Sequence, residues 1–293
     1  MWSYIATVEN LYLERRTRYP LTFQNFKIYP QEKSPFRKKV EQYLRDRSLP
    51  VTFTHVLVMR TRKTAKTNGE FINRARTYFN RFITLLRVYK PNWAFIHYEF
   101  FHSKSGFTVF TLHESDERPH FLTIPAEITI KKTDIGAIKR ILYRLKRLRS
   151  RERFNKILNS LGYLERGCKG ILAERIIWLF IVLESLLNLK EPELAHKLSS
   201  RTAWLINPTN FRKRIEVFNG IKKAYGFRSN IVHGEVIKQE EIESHLKFLE
   251  DKVWALMKAI LLDLKLLRIL TDKREKTQEY FNNLVLGKVD LRS

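Results

Sequence analysis

A histidine can take up or release a proton near neutral pH, and an arginine can grip an oxyanion through two parallel hydrogen bonds. The stretch Tyr225–Gly234, YGFRSNIVHG, holds such a pair, Arg228 and His233, with four residues between them. Steps of three and four place Ile221, Ala224, Tyr225, Arg228, Ile231 and Val232 on one helix face, with Gly234 as the C-terminal cap. Arg228 therefore falls among packing residues, where an unpaired charge is costly. His233 lies five steps on, about 140° round the helix, and at the helix end the two side chains can converge on one object. Asn230, three before His233, shares its side and is placed to orient it or to touch the same ligand. A second charge is equally out of place. Glu184 is the one charge in the run IIWLFIVLESLL, Ile176 to Leu187, and faces the same way as Ile176, Ile177 and Phe180. A buried carboxylate needs a cation. Arg228 is the expected partner, with Arg175, Lys197 and Arg201 as rivals.

The elements that must hold these residues are helices. After Lys132 the apolar spacing is helical throughout: Ile138–Leu161, dense in base and including Arg144 and Arg147; a buried helix around Glu184; a short helix after Pro192; Phe211–Val232; one long helix from Glu240 to Leu270; and a short one in the tail. Short connections favour an antiparallel bundle over residues 136–293. Residues 1–135 mix two periodicities. Val51–Arg60 alternates as a strand. Gly69–Tyr89 reads as a helix with Arg74, Arg76, Arg81 and Arg87 opposite its apolar stripe. Two aromatic strands flank HSKSG as a hairpin, and Phe121–Ile130 reads as a further strand. The expectation is an α+β domain, a small antiparallel sheet with a helix, of ferredoxin-like type.

The chain has 293 residues, 44% of them hydrophobic, and a formal charge of +25. Residues 1–150 carry 29 Lys and Arg against 12 Asp and Glu; residues 151–293 carry 26 against 18. Such a surplus attracts polyanions, nucleic acid first among them. The apolar run is too short for a bilayer, which needs about 20 residues, and the first residues lack the order of a secretory leader. A soluble cytoplasmic protein with no membrane partner is expected. The single cysteine, Cys168, excludes an internal disulfide. No His-x3-His, paired Asp, Cys pair or Gly-rich phosphate loop is present, so neither metal nor cofactor is expected. His97 and His102 read as sheet residues rather than ligands.

Two blocks, Leu179–Ile206 (LFIVLESLLNLKEPELAHKLSSRTAWLI) and Ile221–Glu235 (IKKAYGFRSNIVHGE), resemble in order and separation the Apea-like branch of the HEPN superfamily. The likeness covers roughly residues 150–270. Its hallmark is an arginine, four to six residues, then a histidine on a bundle helix; Ser229 follows the arginine directly here. The resemblance implies a helical bundle that dimerises and a metal-independent endoribonuclease. In that chemistry the ribose 2′-OH attacks the adjacent phosphate and leaves a 2′,3′-cyclic phosphate and a 5′-OH. It also implies roles: Arg228 on the phosphate, His233 as acid or base, Asn230 and Ser229 positioning, Glu184 behind Arg228. RNA is the implied partner, with a homodimer mate and an antitoxin or inhibitor. Defence against foreign nucleic acid, or a toxin role, is the implied setting.

The first domain is expected to bind or sense nucleic acid through Arg60, Arg62, Lys63 and Lys66 in MRTRKTAKTNG. Its hairpin is similar to that of rolling-circle replication initiators, but Phe107–Thr111 holds no His–apolar–His triplet. Two rival functions stand beside the ribonuclease: a catalytically inactive RNA-binding or scaffold protein of the same fold, and a DNA-binding regulator.

Overall fold

The computed structural model describes residues 2–14, 20–23, 26–49, 51–61, 67–90, 94–103, 106–112, 129–168, 170–189 and 192–286. It divides into two compact units, Met1–Lys139 and Arg140–Ser293.

The first unit is a six-stranded sheet with a helix on each face. Its strands are β1 (Trp2–Glu9), β3 (Leu21–Thr22), β4 (Phe26–Pro30), β5 (His55–Thr61), β6 (Phe95–Ser103) and β7 (Gly106–Leu112), in the order β3-β4-β5-β1-β6-β7. All neighbours are antiparallel. A separate short ladder pairs β2 (Tyr12–Leu13) with β8 (Thr129–Ile130). β1 lies inside the sheet with both its faces buried, Tyr4, Ala6 and Val8 on one and Ser3, Ile5 and Thr7 on the other. Ile5 joins Val56, Val58 and Phe100 under Val40 and Leu44 of α1 (Arg37–Arg45) and its N-cap residue Phe36. Tyr4 faces α2 (Asn68–Tyr89), its ring 5.6 Å from that of Phe79. β5, α2 and β6 form one split βαβ unit around β1. The ferredoxin-like expectation needs a second such unit. Here the other helix, α1, joins β4 to β5, which are adjacent and antiparallel, so the expectation fails at that point.

Two arginines expected on the outer face of α2 turn inward. Arg76 Nε donates to Oε2 of the fully buried Glu99 at 2.9 Å. Beside them the Tyr4 hydroxyl is pushed far above its ordinary range, by burial first and then by Glu99. Arg87 is buried and donates through Nε to the Ala94 carbonyl at 3.1 Å. Of the expected strand over 121–130, Thr129–Ile130 forms β8; residues 121–128 lie outside the described ones.

The second unit is helical: α4 (Phe154–Arg166), α5 (Leu172–Leu187), α6 (Leu194–Ile206), α7 (Phe211–Val232), α8 (Gln239–Leu262), α9 (Leu264–Thr271) and α10 (Arg274–Val285), entered from α3 (Lys132–Arg147). α5 is apolar on nearly every side and packs against α4, α6, α7 and α8. Two long helices of the sequence reading are broken. The break after Arg147 is held by Arg151, which donates to Asp272 at 2.9 Å, and by Arg153, which donates to Thr277 at 3.1 Å. The break after Leu262 is made by Asp263, whose Oδ1 caps α9 by accepting from the Leu266 amide at 3.0 Å. Where α7 meets α8, Gly220 lies under the Phe248 ring with no room for a Cβ.

A fully buried ion pair, Arg175 on α5 with Glu250 on α8, lies inside this bundle, and Arg175 Nε also donates to the Gly167 carbonyl at 3.2 Å. Removing one partner strands the other charge. Arg175→Met or Glu250→Leu alone will cost about 3–5 kcal/mol, and the double variant will recover most of it, as urea denaturation of the three proteins will show. In the sheet unit, burial pushes the His55 imidazole down to about 4. The unfolded imidazole binds its proton near 6.5, so stability contributed above that pH is lost as pH falls from about 6.5 to about 4, by about 3 kcal/mol in total. His55→Gln will remove that part of the acid sensitivity of the melting temperature.

Candidate active site

α7 carries the candidate pair. It starts where Asn210 Oδ1 accepts the Lys213 amide at 2.9 Å. It ends in a Schellman turn: the Glu235 amide donates to the Asn230 carbonyl at 3.0 Å, the Gly234 amide to Ile231 at 3.1 Å. Gly234 has φ of +77°, a conformation open to glycine at little cost. His233 is the C-cap residue of that turn, with its amide bonded to the Ser229 carbonyl at 3.0 Å. The peptide groups of Ser229 and Asn230 thus fix the backbone that bears the histidine, while its side chain stands in solvent.

The shared face thins along the helix. Ile221 and Ala224 are buried, Tyr225, Arg228 and Ile231 are half-buried, and Val232 is exposed. Arg228 is therefore at the margin of the packed face, not in its middle. Its Nη2 lies 3.8 Å from Glu184 Oε1, and each side chain is about a quarter exposed. This is the only ion pair of either group among the described residues, and it is a loose one. Arg228 Nε and Glu184 Oε1 are both buried without a hydrogen-bond partner. Burial raises the Glu184 carboxyl above its usual range, and the Arg228 guanidinium opposes that shift. The Tyr225 ring, 5.7 Å below the guanidinium, stands edge-on to Phe180 at 5.4 Å. The result is a partly exposed guanidinium, loosely backed by a carboxylate over an aromatic floor. Such a group can receive an anion.

Two of the three rival cations are committed elsewhere. Arg175 pairs with Glu250, and Arg201 Nη1 donates to the Leu187 carbonyl at 2.6 Å beneath Phe281. Ser229 is half-buried and Asn230 exposed beside the pair. Of the expected nucleic-acid contacts, Arg144 is half-buried and donates to the Leu262 carbonyl at the end of α8, a capping role. Arg147 is exposed, 5.8 Å from the ring of the exposed Tyr143. Arg60 is exposed near Phe36, whereas Arg62, Lys63 and Lys66 lie outside the described residues. Sequence reasoning passed over Lys156. Burial, then Arg153, Arg201 and Arg274, pushes its ammonium down to about 7, and Nζ donates to the Asn188 carbonyl at 3.5 Å. Its position in a basic amphipathic helix gave no signal of this.

Among the described residues no three His, Cys, Asp or Glu side chains gather as a metal-binding set, and no helix is long and apolar enough to cross a membrane. Comparison of the chain with family models, characterised proteins and solved structures finds no match to any of them.

The looseness of the Arg228–Glu184 pair has a measurable consequence. A loose, partly exposed pair contributes little, so Arg228→Ala and Glu184→Gln will each shift stability by no more than about 1 kcal/mol. Thermal melts will separate any functional loss in these variants from unfolding.

Proposed function

We propose that the second unit is a HEPN-type module of the Apea-like kind and that the chain is a metal-independent endoribonuclease working as a homodimer. The observation that carries this reading is the meeting of Glu184 and Arg228 across α5 and α7, beside a histidine fixed by a helix-ending turn. Arg228 would neutralise the phosphate as it becomes crowded, and Glu184 would limit where the guanidinium can swing. An imidazole at position 233 would accept the 2′-OH proton while that oxygen attacks phosphorus. A second imidazole, from the other copy, would protonate the departing 5′-oxygen. Asn230 and Ser229, on the same turn, are placed to orient the strand. The net charge of +25 supports a polyanionic substrate.

Exposed apolar side chains support the dimer. Phe211 and Ile215 on α7, 68% and 45% exposed, are followed by Val232 and the fully exposed Val236 near the site. Phe211 and Ile215, one turn apart at the start of α7, form the apolar pair that would serve as an association surface. A cytoplasmic role in defence or as a toxin, held in check by an antitoxin or inhibitor, fits an RNA-cutting activity of this kind.

The test is cleavage of a mixed RNA pool in EDTA. Wild type is expected to yield 2′,3′-cyclic phosphate ends, and Arg228→Ala and His233→Ala to lower the rate at least about a hundredfold each. Phe211→Glu with Ile215→Glu will shift the dimer to monomer by light scattering and lower cleavage with it. Equal inertness of wild type and variants with RNA binding intact would replace this reading by a scaffold role. A preference for duplex DNA would favour a DNA-binding regulator.

A further inference from the structure

A groove of about 650 Å³ lies in the first unit between α1 and the β6–β7 hairpin. Lys38, Lys39 and Tyr43 form its α1 wall; His102 and Phe107 form the other. Sites of this size take ligands on the scale of a nucleotide. Three features define what could fill it. The first is uncompensated positive charge. Lys39 Nζ donates to His102 Nε2 at 2.9 Å, which makes the imidazole a neutral acceptor at this contact. Burial, then Lys39 and Arg60, hold His102 below its usual range. Lys38, Lys39 and Arg60 make no ion pair among the described residues. Asp46 is the one carboxylate in the lining, and it already accepts from Gln42.

The second feature is a braced aromatic wall. The Phe107 ring stacks on the fully buried Phe100 at 5.1 Å, and Tyr43 stands edge-on to Phe100 at 5.8 Å. Both rings remain partly exposed. The third is Arg47, whose guanidinium lies 3.7 Å from the Tyr43 ring centre and extends the basic rim. A small anion uses cations but no rings, and an acidic peptide has no flat face to lay on Phe107. A nucleotide uses both. In a duplex the base faces are already stacked, so only an unpaired strand can reach these rings.

We propose that this groove binds a single-stranded nucleic-acid segment, holding its phosphates on Lys38, Lys39 and Arg60 and a base against Phe107 and Tyr43. The site belongs to the sheet unit and involves none of the residues assigned to cleavage.

The full chain is titrated against short labelled oligonucleotides, RNA and DNA, single-stranded and duplex, by fluorescence anisotropy. Lys38→Glu with Lys39→Glu is expected to weaken single-strand binding at least about tenfold, beyond the charge-matched pair Lys247→Glu with Lys276→Glu on the helical unit. Phe107→Leu keeps apolar volume but loses the ring. It is expected to weaken single strands about five- to a hundredfold and leave duplex binding unchanged, with Phe107→Tyr retaining affinity. The RNA and DNA arms identify which strand is the ligand. Protection of Lys38 and Lys39 from acylation by bound oligonucleotide tests the same contact in the wild-type chain, independently of how the variants fold. Equal loss in the two charge-reversed pairs with Phe107→Leu silent would reduce the binding to net charge and overturn the proposal. So would equal competition by a polyglutamate of matched charge, or absence of lysine protection. In Arg228→Ala, bound oligonucleotide is expected still to protect Lys38 and Lys39 from acylation, a readout confined to the groove that keeps this result separate from the cleavage assay.

Discussion

The helical unit depends on one buried contact, Arg175 with Glu250. α5 presents Ile176, Leu179, Phe180, Val182, Leu183, Leu186 and Leu187 to its neighbours, all buried. A helix so uniformly apolar could slide a turn against α8 and bury nearly the same area, because the hydrophobic effect has no direction. A guanidinium without access to water tolerates one register only, the one that brings Glu250 opposite it and the Gly167 carbonyl within reach. Glu184 lies nine residues further along the same rigid helix, about 13 Å away. Its meeting with Arg228 is therefore inherited from a contact more than two turns distant.

The other end of α5 is held by cations. Arg201 takes the Leu187 carbonyl and Lys156 the Asn188 carbonyl, both at the negative end of the helix dipole. Lys156 is the weaker partner: burial and three arginines nearby favour its neutral form as pH rises through about 7. α5 is thus held near both ends by basic side chains, and its last turn carries the loosely paired Glu184 of the bundle's candidate site.

How much of this was legible depended on whether a residue violated its local pattern. Glu184 interrupts an apolar run, and Arg228 interrupts an apolar face, so both stood out and the structure brings them together. Glu250 violates nothing: beside Asp251 and Lys252 it reads as part of a solvated face, and its burial comes from tertiary packing alone. The C-terminal end of α7 was readable from Gly234, whose backbone chemistry is local. The breaks before α4 and α9 were not, because helical spacing continues across them. The centre of the sheet was also missed. Ser3, Thr7 and Glu9 of β1 are buried although their types suggest a solvated face, and the strand order is set by contacts between residues about 50 to 100 positions apart, as in Ile5 with Val58 and Phe100.

The basic surplus has to be read residue by residue rather than as a total. Arg76, Arg87, Arg144, Arg175 and Arg201 all contribute to the formal charge of +25, yet each is bonded to a carboxylate or carbonyl within the fold. An arginine that satisfies a helix end or a buried glutamate offers little to a ligand, because leaving would strand its partner. What remains for recognition is local. Lys39 and Arg60 crowd His102, and neither they nor Lys38 makes an ion pair among the described residues. Arg228 holds its carboxylate at a distance too long for a hydrogen bond. These are the positions at which an incoming phosphate would gain most, since it meets charge that folding has left uncompensated. Net charge brings a polyanion near the surface; arrangement decides where it stops.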